Sequence, residues 1–200
     1  MANDCCGIMR VVSKYKGAIE RFEKIMQYED DEFFCYRVFE FERTSTDKEG
    51  GLWVAEYSID VAWSSHTWFH DKDEPGKYII KGYNKTEVTL PSGEVITRDD
   101  WDNPIYGTAH YTSVTHLCRV LGIGVELWTT EPGCGFEEHA MCDSIGRMKY
   151  DSEEYREECT DDGEVVSEKH GFKDFGDWHS ASEIYGGANV CPLMGGKENI

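Results

Sequence analysis

The stretch WVAEYSIDVAW, residues 53–63, decides the fold. Every odd-numbered position in it is apolar, whereas Glu56, Ser58 and Asp60 are polar. A period of two over eleven residues is typical of a strand with one buried face and one solvent-exposed face. Such half-buried strands belong mainly to antiparallel sheets, so the stretch predicts an antiparallel sheet with one covered face.

The segment before this stretch predicts strand, helix and strand in turn. Residues 5–12 form a short apolar run suited to a buried strand. Ser13 is a candidate N-cap for an amphipathic helix over about 15–28, where apolar residues recur at helical spacing. Residues 33–43 are aromatic and β-branched enough for a second strand.

Residues 64–107 predict an insertion rich in turn-forming residues. Within it, residues 86–90 and 94–97 flank Pro-Ser-Gly and predict a hairpin. A second amphipathic helix is expected over about 108–121, ended by Gly122 in the C′ position.

The remaining segments add strands. Ile123, Val125 and Leu127 alternate as a strand, and residues 136–150 read as further strand interrupted at 144–146. The order β-α-β-β-α-β predicts an α+β fold: a ferredoxin-like antiparallel sheet with two helices on one face, an inserted hairpin and extra C-terminal strands. We expect one domain over 1–150, with an acidic and aromatic extension over 151–200 packing on it.

The chain carries a formal net charge of −19, with 39 acidic against 20 basic residues. Phosphate binding needs clustered Lys and Arg, so a nucleic-acid ligand is disfavoured and a basic partner is expected. Four consecutive acids follow the first helix, and residues 151–168 hold nine more. The candidate partner-binding residues are Glu29, Asp30, Asp31, Glu32, Asp151, Glu153, Glu154, Glu157, Glu158, Asp161 and Asp162.

The eight cysteines do not point to a disulfide scaffold or a zinc knuckle. They make up about 4% of the chain, below the density of disulfide-rich domains, and no CxxC pair is present. We therefore expect no cofactor and no metal, with Cys134, His139 and Cys142 as the alternative should a metal site exist. His66 and His70 are four apart, a spacing that would bind metal only on a helix.

No catalytic motif is present, so a binding role is predicted rather than an enzyme. HExxH, GxSxG and a Gly-rich phosphate loop are all missing from the sequence. A small metal-dependent enzyme remains an alternative, and its candidate residues are His110, His116, Glu131, His139 and Cys142.

Three short motifs carry a family resemblance. IDVAWS at 59–64, LGIGVELW at 121–128 and EPGCGF at 131–136 resemble the YubB-type ferredoxin-like domain of phages and conjugative plasmids. The opening MANDCC and the first helix are also similar, and the likeness covers roughly residues 1–63 and 108–146. The resemblance implies the fold and a mobile-element origin, and it supplies no catalytic residues.

Charge and resemblance together predict an acidic inhibitor of a host nucleic-acid-handling defence complex, of the anti-CRISPR or antirestriction type, acting by nucleic-acid mimicry. Its expected partner is a basic host protein or ribonucleoprotein, such as a nuclease effector. The alternative is a neutral protein-interaction module that docks through Trp178 and Tyr185.

With neither a signal peptide nor a long apolar run, we expect no membrane association and a location in the bacterial cytoplasm. A homodimer is compatible with an exposed sheet edge.

Overall fold

The computed structural model describes residues 4–35, 37–62, 64–65, 69, 74–160 and 165–186. The elements in chain order are β1 (Asp4–Ser13), α1 (Lys16–Met26), β2 (Phe33–Phe34), β3 (Val38–Glu49), β4 (Leu52–Ala62), β5 (Glu74–Thr89), β6 (Val95–Tyr111), α2 (Val114–Leu121), β7 (Ile123–Glu131), β8 (Phe136–Cys142), β9 (Met148–Glu154), β10 (Arg156–Cys159), β11 (Val165–Lys169) and α3 (Ala181–Tyr185).

The strands of the described residues form three sheets. The largest has the order β3-β4-β1-β7-β8-β9, and all of its neighbours are antiparallel. The second sheet is β2-β6-β5 with β2 parallel to β6, and the third is the ribbon β10-β11. The predicted α+β class is confirmed, because the described chain is mostly antiparallel sheet with three short helices.

The main core is a buried cluster that combines residues of the six-stranded sheet with residues of α1 and α2. Phe22 of α1 and Leu117 of α2 belong to the same buried cluster as Tyr57 of β4 and Leu127 of β7. The alternation predicted for residues 53–63 is confirmed, since the odd positions from 55 to 61 are buried while Ser58 is exposed. Burying an apolar side chain of this size stabilises the fold by about 1.5–3 kcal/mol.

The sheet face opposite Tyr57 and Leu127 receives residues 170–186, which we name the C-terminal segment. Ile184 of α3 packs on Val12, Val54 and Met141, which project from the face opposite Tyr57 and Leu127. Ser180 and Glu183 form a capping box at the start of α3, a helix that the sequence analysis did not predict.

The predicted hairpin is much longer than expected. β5 and β6 pair from Glu74 and Tyr111 to a turn in which the N–H of Leu90 donates to the carbonyl of Glu94 at 2.7 Å.

The predicted helix over 108–121 is wrong in its first six residues. Residues 108–111 pair with β5 and β2, and α2 begins only at Val114, after the N-cap Ser113.

Two further predictions on local structure are corrected. The strand expected over 33–43 is split into β2 and β3, with Arg37 between them in the left-handed region at φ 73°. The N-cap of α1 is Tyr15 and not Ser13. Ser13 is buried at the end of β1, where its hydroxyl donates to the carbonyl of Gly122 at 3.1 Å.

Candidate functional site

Strands β7 and β8 and the turn after β8 hold several buried carboxyl groups. Glu126, Glu137, Glu138 and Asp143 have no solvent exposure, and Glu131 is 3% exposed. An ionised carboxylate inside a protein costs several kcal/mol unless charges or hydrogen-bond donors surround it. The partners of each group therefore show what it does.

Glu138 has a structural role. Its carboxylate accepts the backbone N–H of Ser65 at 2.7 Å and the hydroxyl of Thr129 at 3.1 Å, and it also accepts the hydroxyl of Tyr150. Burial, followed by the hydrogen bond to Glu138, raises the pKa of Tyr150 to about 12. This network ties residues 64–65 to the sheet.

Glu137 holds the C-terminal segment on the opposite face. Its carboxylate lies 2.7 Å from Nδ1 of His170 and accepts the backbone N–H of Phe172 at 2.5 Å. The rings of Phe172 and Phe175 each lie 5.4 Å from the ring of Trp128. Polar and aromatic contacts thus fix this segment against β7 and β8.

Glu126 lies between two histidines. Its Oε1 atom is 2.8 Å from Nε2 of His139 and 2.6 Å from Nδ1 of His179, and Oε2 accepts the backbone N–H of His179 at 3.0 Å. The ring of His139 stacks on Trp128 with centroids 3.8 Å apart and planes 9° from parallel. Two imidazoles and a carboxylate therefore converge at one point.

Arg10 of β1 completes the surroundings of this cluster. It lies directly opposite Glu126 in the sheet and donates to the carbonyl of His179 at 3.0 Å. The same guanidinium pairs with Glu49 at 2.7 Å and with Glu56 at 3.5 Å. Its positive charge is thus shared between two carboxylates on neighbouring strands.

The three residues of the alternative metal site do not meet. Cys134 is exposed in the turn before β8, whereas Cys142 is buried at the other end of that strand beside Cys118. His139 and Cys142 are three apart on one strand, so their side chains project to opposite faces. Sequence reasoning singled out His139 but missed Glu126 and His179, which no local spacing connects to it.

The residues of the enzyme alternative are also dispersed. His110 and His116 both contact the Phe33 ring, with centroid distances of 6.4 and 5.7 Å. Glu131 instead accepts the backbone N–H of Cys134 in the turn after β7. His66 and His70 lie outside the described residues.

One end of the six-stranded sheet collects carboxylates. The pairs Val38 with Val61, Asp4 with Ala62 and Phe136 with Glu154 place the starts of β1 and β3 and the end of β9 at the same end of the sheet, with β7 and β8 between β1 and β9. We name this the acidic end, and its carboxyl groups with solvent access are Asp4, Glu40, Asp60, Glu153, Glu154, Glu157 and Glu158. The opposite end carries exposed cations at Lys14, Lys16, Lys48, Arg119 and Arg147.

The first predicted acidic run, Glu29 to Glu32, leads through β2 toward the acidic end and is partly neutralised. Arg21 pairs with Asp30 at 3.1 Å and with Glu32 at 2.6 Å, while Lys81 pairs with Asp31 at 2.9 Å. Against the effect of burial, hydrogen bonds from Arg21 and from two backbone N–H groups hold the pKa of Asp30 below its usual value. Asp30 therefore organises its own loop.

The second predicted acidic block is held on regular backbone. Asp151, Glu153 and Glu154 belong to β9, the edge strand of the large sheet, and Glu157 and Glu158 belong to β10. These carboxylates are partly paired: Asp151 with Lys149 at 2.8 Å, Glu154 with Arg156 at 2.5 Å, Glu157 with the hydroxyl of Tyr155 at 2.8 Å, and Glu158 with the hydroxyl of Ser167 at 3.0 Å. Asp161 and Asp162 lie outside the described residues.

A third acidic group was missed by sequence reasoning. Asp4, Glu40 and Asp60 come together on three adjacent strands, on the sheet face that also carries Cys6. Partial burial, then the charges of Asp4 and Glu40, raise the pKa of Asp60 above its usual value. The only sequence signal was the position of Asp60 on the wet face of the stretch 53–63.

Comparison with known proteins leaves the geometry as the main guide. No family model, no curated protein and no solved structure shows significant similarity to the chain. The resemblance to YubB-type domains therefore stays a prediction. Within the described part of the chain, every helix is too short or too polar to cross a membrane.

Proposed function

We propose that the protein is a non-enzymatic acidic binding protein whose acidic end binds a basic surface of a nucleic-acid-handling protein. The observation that carries this proposal is the gathering of carboxylates from β1, β3, β4, β9 and β10 at one end of the sheet. Because these groups stand on paired strands, their spacing is fixed before a partner arrives.

The electrostatics favour fast and selective association. The chain's net charge of −19 and the carboxylates gathered at the acidic end speed encounter with a basic groove and disfavour acidic partners. Glu157 and Glu168 lie directly opposite each other in the ribbon β10-β11. Like charges in that position destabilise a ribbon by themselves, so a partner cation would relieve a repulsion already present.

The second acidic block contributes more than the first in this proposal. Glu153 is exposed on the edge strand β9, and Glu158 is exposed on β10. In the first run, Arg21 and Lys81 already contact three of the four carboxylates. Partner binding should therefore depend mainly on residues 151–158.

We assign the partner to the class of basic nucleases and ribonucleoproteins of a bacterial host, with inhibition of the anti-CRISPR or antirestriction type by nucleic-acid mimicry. Support comes from the acidic end together with the resemblance to YubB-type domains of mobile elements.

We also propose that the chain contains a ferredoxin-like unit, which consists of β1, α1, β3, β4, α2 and β7. The strand order β3-β4-β1-β7 and the common core of α1 and α2 support that assignment.

The test is capture of partners from a bacterial lysate by two variants of equal net charge. The first variant changes Glu153, Glu154, Glu157 and Glu158 to Lys. The control changes four exposed acids elsewhere, Asp47, Glu87, Glu94 and Asp102, to Lys. We expect the first variant to lose a nucleic-acid-handling partner that the wild type and the control retain.

Two further readouts make the outcome decisive. Raising the salt to about 1 M, where the Debye length is about 3 Å, should release the partner from the wild type. Added duplex DNA or structured RNA should compete with the protein for that partner. Equal loss in both variants, or no competition, would contradict binding by the acidic end.

A second candidate function, a neutral protein-interaction module, is favoured by the hairpin β5-β6. Its Tyr78, Ile80 and Tyr106 side chains are 82, 46 and 60% exposed, and Ile80 lies directly opposite Tyr106. The other hairpin face packs Ile79 on Phe34. Binding that survives about 1 M salt but is lost on changing Tyr78 and Tyr106 to Ser would assign function to this hairpin instead.

A further inference from the structure

We infer that Glu126, His139 and His179 form a binding site for a first-row divalent cation of the zinc type. This site is separate from the acidic end and does not depend on the proposed function. Its three side chains come from β7, from β8 and from the C-terminal segment before α3.

The donor set matches zinc chemistry. Two imidazole nitrogens and one carboxylate oxygen, all within 4.8 Å of one another, are the three-ligand set that zinc binds with an open fourth position. Tetrahedral ligands placed about 2.1 Å from zinc lie about 3.4 Å apart. The present contacts of 2.8 and 2.6 Å to Oε1 of Glu126 therefore need to open by less than about 1 Å.

The ligands are already oriented by their neighbours. Trp128 stacks on His139 and holds its ring, and the backbone N–H of His179 fixes Oε2 of Glu126. Arg10 in turn holds the carbonyl of His179. Outer contacts of this kind fix the rotamer and direction of metal ligands, and they reduce the reorganisation that binding requires.

Charge and access also favour a cation. Glu49 and Glu56 pair with Arg10, and Glu126 lies opposite Arg10 in the sheet, so three carboxyl groups surround one guanidinium. Glu126 and His139 are buried, whereas the side chain of His179 is 27% exposed. An ion can therefore enter from the side of His179, and water can occupy the fourth position.

A cation at this position would join the C-terminal segment to the sheet. His179 lies in that segment, while Glu126 lies on β7 and His139 lies on the neighbouring strand β8 beneath it. Binding only to the folded state raises stability by mass action, so Zn²⁺ should protect this segment from proteolysis and raise the Tm.

The experiment uses the full chain, stripped with a chelator and titrated with Zn²⁺ by calorimetry and with Co²⁺ by visible absorption. We expect one equivalent to bind, with Co²⁺ giving the d–d bands of a four-coordinate site. His139→Ala and His179→Ala should each weaken binding by more than about tenfold, the loss that removal of even an outer-shell partner causes.

His170→Ala is the matched control. His170 lies in the same segment and contacts a buried carboxylate at 2.7 Å, but Glu137 has no second histidine among its described contacts. The control should bind Zn²⁺ as the wild type does. Because His179 is partly exposed, His179→Ala should fold even if His139→Ala does not. Absence of binding by the wild type, or binding unchanged by His179→Ala, would overturn the inference.

Discussion

At Gly124 of β7 the backbone of the C-terminal segment lies directly against the sheet. A Cβ atom at this position would lie 2.3 Å from the carbonyl oxygen of Ile184 and 2.9 Å from Cα of Tyr185. Both obstacles are backbone atoms, which cannot move away as a side chain can. Only glycine therefore allows α3 to rest directly on the strand.

We expect Gly124→Ala to destabilise the protein by about 2 kcal/mol, within the range for overpacking a filled interior, and to release α3. Gly17→Ala is the control, because a Cβ there meets nothing within 4 Å. That change should stabilise helix α1 by about 0.4–1 kcal/mol. Thermal unfolding and limited proteolysis measure both effects, and equal stability of the two variants would contradict the close approach.

The repulsion among carboxylates at the acidic end should be measurable as a pH-dependent effect of Asp60 on stability. Its folded pKa is raised, so the folded state binds more protons than the unfolded state between the two pKa values. This carboxyl group therefore lowers stability at neutral pH, and its penalty disappears as the pH falls through the folded pKa toward the unfolded one near 3.9.

We expect Asp60→Asn to raise stability at pH 7 by up to about 1 kcal/mol, the upper range for a partly solvated charge. The advantage over the wild type should vanish near pH 4. Asp102→Asn removes the same charge from an exposed strand position and should leave the Tm nearly unchanged. Unfolding curves from pH 4 to 8 measure the difference, and a constant gain across that range would contradict the linkage.

At the scale of elements, the two longer helices differ in their N-caps. The hydroxyl of Ser113 accepts the N–H of His116 at 3.2 Å at the start of α2, whereas the N-cap of α1 is Tyr15, which offers no side-chain acceptor. Ser113→Ala should cost about 1 kcal/mol, and Tyr15→Ser should gain a comparable amount. Chemical denaturation of both variants checks the pair, and shifts of the same sign would contradict this assignment of the caps.

The local sequence pattern predicted those elements whose buried residues are recognisable within one short stretch. α1 and β4 follow from periodicity because each has one apolar side and one more exposed side within a short stretch, and β1 follows from its continuous apolar run. The start of α2 could not be predicted from the local sequence pattern. Residues 108–111 become strand by pairing with Lys77 and Tyr78 of β5 and with β2, contacts made across 30 or more positions that no local window includes.

At the scale of the whole molecule, the candidate sites depend on contacts between distant parts of the chain. His139 was visible as a possible ligand, but His179 is 53 positions from Glu126 and reaches it only because α3 docks on β7. Only part of the acidic end could be predicted from the sequence. Residues 151–158 were identifiable as a charge block, whereas Asp4, Glu40 and Asp60 meet only when β3, β4 and β1 pair.

The most direct test of the acidic end is carbodiimide labelling of carboxyl groups, read by mass spectrometry, in the protein alone and in its captured complex. We expect Glu153, Glu154 and Glu158 to lose labelling in the complex, while Glu87 and Glu94 on the hairpin β5-β6 label equally in both states. Protection of the hairpin carboxylates with unchanged labelling at 153–158 would contradict the account.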